Sequence, residues 1–114
     1  MKKRIGLGTW SWGNKIFWNY KTINDDDVRD TYNAALRRGF DLIDTADSYG
    51  TGNLQGRSEL LIGKFLLNTP SAKKKRIQVA TKLAPYPWRI GERGFNKPFL
   101  KSLERLNNLS LIHI

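Results

Sequence analysis

The sequence predicts an α/β fold in which parallel strands are joined by helical crossovers. Three observations carry this. Short β-like segments alternate with longer segments of helical period along the 114 residues. Turn signals such as Gly39 and Asn68-Thr69-Pro70-Ser71 fall at the junctions. Strand-helix-strand-helix order also implies parallel strands, because a crossover helix returns the chain to the same end of the sheet. Both an open doubly wound sheet and part of a (β/α)8 barrel satisfy this pattern, and both place their chemistry at the C-terminal ends of strands.

The elements follow in order. Ile5 to Trp10 is short and β-like, and its two glycines let it bend or lie close to a ligand. Asn24 can cap a helix, and Asp25, Asp26 and Asp27 complement the positive end of its dipole. Val28, Tyr32, Ala35 and Leu36 share one face of that helix, and Gly39 ends it. A second strand spans Phe40 to Thr45, a turn-rich loop Ala46 to Gly56, and a second helix Ser58 to Leu67. The third strand is Ile77 to Leu83. A loop containing Pro85, Pro87 and Pro98 leads to a helix near Phe99 to Leu106, and Leu109 to Ile114 can begin a fourth strand.

Composition narrows the function. The chain is 39% hydrophobic and 26% charged, which suits a globular protein. No apolar run approaches the ~20 residues that cross a bilayer, and Gly6 to Trp12 is too short and turn-prone for a signal peptide. The expected compartment is the cytoplasm by default, with a plastid allowed. With no cysteine and a single histidine, His113, neither a disulfide scaffold, a thiolate zinc site nor a multi-histidine metal centre can be built, so no metal is expected. The net charge is +10, concentrated in the second half of the chain. Its densest run, Lys73-Lys74-Lys75-Arg76, is read as a solvated loop between helix and strand.

The strand ends hold the chemistry. The first strand finishes in Gly8-Thr9-Trp10, the second in Asp44 with Tyr49 soon after, and the third in Lys82. If the second and third strands are neighbours, a carboxylate, an ammonium and a phenol meet in one small volume. A free tyrosine holds its proton to a pH of about 10. A lysine cation beside it favours the phenolate, and a carboxylate paired to the lysine keeps that cation charged. Such a tyrosine can protonate a carbonyl oxygen as hydride reaches the carbon. The same residues also fit a surface ion pair beside a loop aromatic. Gly8 and Thr9 can admit a flat cofactor to the backbone, with Trp10 as a wall. The run Gly6-Leu7-Gly8-Thr9-Trp10-Ser11-Trp12-Gly13 breaks the G-x-G-x-x-G spacing of a Rossmann domain, and there is no P-loop.

Four blocks, in order and suitably spaced, resemble the aldo-keto reductases: Gly6-Leu7-Gly8-Thr9-Trp10, Asp44-Thr45-Ala46-Asp47-Ser48-Tyr49-Gly50, Gly56-Arg57-Ser58-Glu59-Leu60-Leu61-Ile62-Gly63 and Val79-Ala80-Thr81-Lys82. Trp10-Ser11-Trp12-Gly13, Phe17-Trp18 and Lys82-Leu83-Ala84-Pro85-Tyr86-Pro87-Trp88-Arg89 look most like the plant and cyanobacterial pyridoxal-reductase-like branch. The resemblance implies that residues 1–114 are the N-terminal portion of a (β/α)8 barrel, with three β/α units and a fourth strand to follow. It implies NADPH without a Rossmann domain and a small carbonyl substrate. Tyr49 would be the proton donor, tuned by Lys82 and Asp44. Gly8, Thr9, Trp10 and Asp44 would line the cofactor and substrate pocket. Ser58 and Glu59 are expected to serve as cap and first turn of their helix.

The chain departs from the family in two respects. The family's fourth catalytic residue is a histidine ending the fourth strand, and His113 has that flavour but follows a stretch about four residues short. Leu109 to Ile114 is accordingly open to being a coding artefact. A barrel also needs roughly 250 residues. The 114 residues alone are expected to fold poorly, to bind NADPH weakly or not at all, and to show no reductase turnover. Two other classes compete: a small basic nucleic-acid-binding protein and a non-catalytic regulatory subunit of the same fold. The first is disfavoured because aromatics cluster in Trp10 to Tyr20 while the positive charge comes later. Retention of Asp44, Tyr49 and Lys82 counts against the second.

Overall fold

The computed structural model describes residues 5–15, 18–50, 56–106 and 111–113. Strands β1 (Gly6–Gly8), β2 (Leu42–Asp44), β3 (Gln78–Thr81) and β4 (Leu111–His113) form one sheet in the order β1-β2-β3-β4, every pair parallel. Helices α1 (Asp25–Arg37), α2 (Arg57–Leu67), the short α3 (Ser71–Lys74) and α4 (Gly91–Arg105) occupy the crossovers. Strand order that climbs without reversing is that of a barrel segment, since a doubly wound sheet changes direction at a switch point. The chain thus forms the N-terminal portion of a (β/α)8 barrel.

Alternation along the strands separates two faces. Ile43 and Val79 turn towards the helices and are almost wholly buried; Leu7 and Ile77 pack against the same core. Trp12, Tyr32, Leu61, Ile62, Phe65 and Leu66 complete most of that core. Each fully buried aliphatic side chain there contributes roughly 1.5–3 kcal/mol. Helix α2 dominates it, with Ser58, Glu59, Leu61, Ile62, Gly63, Phe65 and Leu66 all buried. The opposite face carries Gly6, Gly8, Leu42 and Asp44, which line an open pocket.

Local signals hold where their physics is local. On α1, Tyr32 and Ala35 are buried, while Val28 and Leu36 pack against the core. Gly39 ends the helix at φ 84°. Its N–H donates to the Leu36 carbonyl at 3.1 Å and the Phe40 N–H to that of Ala35 at 2.9 Å, the paired bonds of a Schellman stop. Asn24 occupies the N-cap position of α1, but its side chain makes no cap bond. Its Oδ1 accepts the Lys21 N–H at 2.9 Å instead, closing the 3-10 turn Thr22–Asn24.

The element boundaries differ from the sequence reading in three ways. Strands β1, β2 and β3 are shorter than expected, although the Thr9, Thr45 and Asp47 N–H groups carry the ladder beyond them through the Asp44, Ala80 and Lys82 carbonyls. Helix α4 begins at Gly91, eight residues before the expected Phe99, with Pro98 inside it. Pro98 cannot donate to the carbonyl one turn back, yet buried Ser102 and Leu106 fix the later turns against the rest of the fold. Part of the Lys73–Arg76 run lies on α3, started after Pro70, with Lys73, Lys75 and Arg76 exposed as expected. Phe17, the loop residues 51–55, Leu109, Ser110 and Ile114 lie outside the described residues.

Candidate active site

Parallel pairing in register brings the strand ends together: Gly8 pairs with Asp44, and Asp44 with Ala80. Lys82 follows β3 directly, and its Nζ donates to Asp44 Oδ1 as an ion pair. The side chains are 49% exposed at Asp44 and 32% at Lys82, so the pair stays in contact with solvent. The same ammonium lies 5.3 Å from the centre of the Tyr49 ring, a cation–π contact with the ring face. Asp44, Tyr49 and Lys82 thus form one cluster, and with Gly6, Gly8, Leu42 and Ala80 they line an open pocket of about 620 Å³.

Tyr49 is set by the turn that follows β2. Its N–H donates to the Ala46 carbonyl at 3.2 Å, and its carbonyl accepts the Ser58 N–H at 3.4 Å. Gly50 then turns away at φ 89°, and a Cβ there would stand 2.5 Å from Arg57 Cβ. Only glycine serves at that position. Arg57 is itself held by Asp25, which also accepts from the Tyr20 hydroxyl. Burial and that carboxylate push the Tyr20 phenol well above the ordinary tyrosine value.

The other expected ligand-facing residues divide. Gly8 lines the pocket, and a Cβ added to it would meet nothing within 4 Å. Thr9 is fully buried on the helix side, where its hydroxyl donates to the Asp44 carbonyl at 3.0 Å and accepts from Ser58 Oγ at 2.7 Å. Trp10 is 53% exposed and meets the edge of Trp18 at 5.8 Å, away from the lining of the Asp44 pocket. The backbone of His113 pairs with Thr81, one register position before Lys82. Among the described residues no group of histidines and carboxylates is placed to hold a metal.

Ser58 and Glu59 do more than start a helix. Gly56 occupies the N-cap of α2, and no side chain caps it. Ser58 Oγ, besides its bond to Thr9 Oγ1, lies 3.1 Å from the Thr45 hydroxyl. Glu59, wholly buried, accepts from Thr81 Oγ1 at 2.6 Å through one oxygen and pairs with Arg105 Nε at 2.6 Å through the other. One dipeptide therefore fastens Thr9, Thr45 and Thr81, the residues that adjoin Gly8, Asp44 and Lys82. The sequence signal for this was the threonine beside each candidate; read as a cap, Ser58 concealed it.

The profile of the aldo/keto reductase family matches residues 4–112. The chain belongs to that family, an oxidoreductase family by the names of its members. It is 47% identical over 104 residues to the chloroplastic pyridoxal reductase of Arabidopsis thaliana, covering 90% of this chain and 28% of that protein. With the NADH-specific methylglyoxal reductase of Escherichia coli K12 it shares 38% identity over 79 residues, covering 69% of this chain and 22% of that protein. An aldo/keto reductase of Klebsiella pneumoniae, solved in complex with NADP and acetate, superposes with a TM-score of 0.71 at 25% identity, covering 93% of this chain and 32% of that chain. The chain therefore spans about a third or less of the length of each of these relatives. No helix among the described residues is long and apolar enough to cross a membrane.

Proposed function

We propose that residues 1–114 supply the proton-transfer side of an NADPH-dependent carbonyl reductase, with pyridoxal as substrate. The observation that carries this is the cluster of Asp44, Lys82 and Tyr49 on the open face of the sheet. The pocket fits a nicotinamide ring: its wall at Gly6 and Gly8 is bare backbone, and a flat ring can lie against it. NADPH, when bound, supplies the hydride to the carbonyl carbon.

The chain's own residues do the rest. The Tyr49 hydroxyl gives its proton to the carbonyl oxygen, where negative charge gathers as the carbon is reduced. The Lys82 ammonium beside the ring stabilises the phenolate left behind. Asp44 holds that ammonium in place and keeps it from turning to solvent. Thr9 acts from behind the strand end, through the Asp44 carbonyl. Pyridoxal is favoured by the 47% identity to the Arabidopsis enzyme, and NADPH by the Klebsiella pneumoniae aldo-keto reductases solved in complex with NADPH and with NADP.

The test joins residues 1–114 to the remaining length of the Arabidopsis pyridoxal reductase and follows NADPH absorbance with pyridoxal. The chimera is expected to turn over, the 114 residues alone to show no turnover, and Tyr49→Phe to lower kcat by about 10²-fold or more. Equal rates in the chimera and its Tyr49→Phe variant would remove Tyr49 from the mechanism.

A further inference from the structure

A second pocket lies away from the Asp44 cluster, between α4 and the loop that precedes it. Its volume is about 490 Å³, within the range of small-molecule sites. Arg93, Lys97, Lys101 and Arg105 all line it, one every fourth residue, and this spacing puts all four on a single helix face. Like charges one turn apart destabilise a helix. Arg105 is neutralised by Glu59. Among the described residues no carboxylate pairs with Arg93, Lys97 or Lys101. The one acid in the lining, Asp47, is taken by Arg89 at 2.7 Å and by the Ala84 N–H at 3.0 Å.

The loop side of the pocket is aromatic. Tyr86 and Trp88 stack with centroids 4.6 Å apart and planes 9° from parallel, and the Arg89 guanidinium lies 4.8 Å from the Tyr86 ring. Tyr86 is thus engaged twice, whereas Trp88 is 72% exposed and keeps ring surface open. The Arg89 Nε, buried in the lining, has no hydrogen-bond partner among the described residues.

We infer that this pocket is a binding site for a small aromatic phosphate ester of mononucleotide type, its ring on Trp88 and its phosphate on Arg93, Lys97 and Lys101. One open ring accepts one base, and the bounded volume suits one nucleotide; a strand of nucleic acid would call for a run of such rings. Cations without acidic partners supply the charge complement, and stacking supplies the preference for an aromatic ester over a bare anion. This inference stands apart from the reductase reading, since it uses none of Asp44, Tyr49 or Lys82.

The experiment titrates the chimera, its cofactor site filled with NADP, with 5′-AMP at low salt, following tryptophan fluorescence and calorimetric heat. One-to-one binding is expected, with adenosine and inorganic phosphate each weaker by about tenfold or more. The Trp88→Phe variant should lose the fluorescence change while keeping part of the heat. Lys97 and Lys101 are exposed, so the double variant Lys97→Gln, Lys101→Gln should keep its far-ultraviolet circular dichroism and bind AMP about tenfold more weakly, with a shallower salt dependence. Inorganic phosphate binding as tightly as AMP would overturn the assignment. So would AMP binding that ignores the two lysine substitutions, or an oligonucleotide that binds far more tightly than AMP.

Discussion

The two faces of the sheet are made by the same strands and do opposite work. On the covered face Ile43, Val79, Thr9, Thr45 and Thr81 are almost inaccessible and are packed or hydrogen-bonded by α2. On the open face Gly8, Asp44 and Lys82 stay in reach of solvent. Each of these three adjoins a threonine that faces the other way. A period of two thus divides the labour residue by residue: one neighbour anchors the strand end, the next is free for chemistry.

Substitutions that test this division should differ sharply in cost. Glu59→Ala leaves the Arg105 guanidinium, 19% exposed, without its carboxylate. The expected loss is about 3 kcal/mol in urea unfolding, the range seen when one partner of a buried pair is removed. A loss below about 1 kcal/mol would break the comparison, because the clamp would then hold nothing. Next in size is Gly50→Ala, which meets both the positive φ and Arg57 Cβ. It should cost about 1–3 kcal/mol and also lower kcat in the chimera, by moving Tyr49.

A smaller effect is expected from pH. The Tyr20 and Tyr32 phenols are raised in the folded chain, Tyr20 by burial and Asp25, Tyr32 by burial. The unfolded chain therefore loses these protons first, so the stability these phenols contribute is fully present below a pH of about 10 and falls as pH climbs above it. Tyr20→Phe should flatten that alkaline slope in thermal melts while leaving the share due to Tyr32; an unchanged slope would count against the Tyr20–Asp25 contact. Smallest of all is the open face. Lys82→Met should change stability by less than about 1 kcal/mol, as for other exposed pairs, while abolishing turnover in the chimera. Gly8→Ala should be neutral or slightly stabilising by denaturation, since its methyl meets nothing. In the chimera it should weaken NADPH.

Much of this was legible in the chain because it is local. The acidic start of α1, its Tyr32 and Ala35 face, and its stop at Gly39 depend on residues within two turns of one another. The meeting of Asp44 and Lys82 needed one further step, that the second and third strands are neighbours, and the four ordered motifs supplied it. The Glu59–Arg105 pair was not legible, because 46 residues separate its partners and neither has a local signature. Ser58 looked like a cap because serine at a helix start usually is one. Pro98 misplaced the start of α4 because propensity counts the lost hydrogen bond and not the packing of Ser102 and Leu106. Thr9 and Trp10 lie beside Gly8 in sequence, but alternation and the turn after β1 send them elsewhere.

The strands lie side by side in the order in which a ribosome makes them. Each new strand finds its partner already at the edge and never has to insert between two that are paired. Gly6 meets Leu42, Leu42 meets Gln78, and Val79 meets Leu111, so each docking closes a stretch of nearly equal length. The entropy of closure grows only as the logarithm of that length, so no step is much harder than the one before. Such a chain can be assembled from its first residue onward, one strand at a time, while the rest is still being translated.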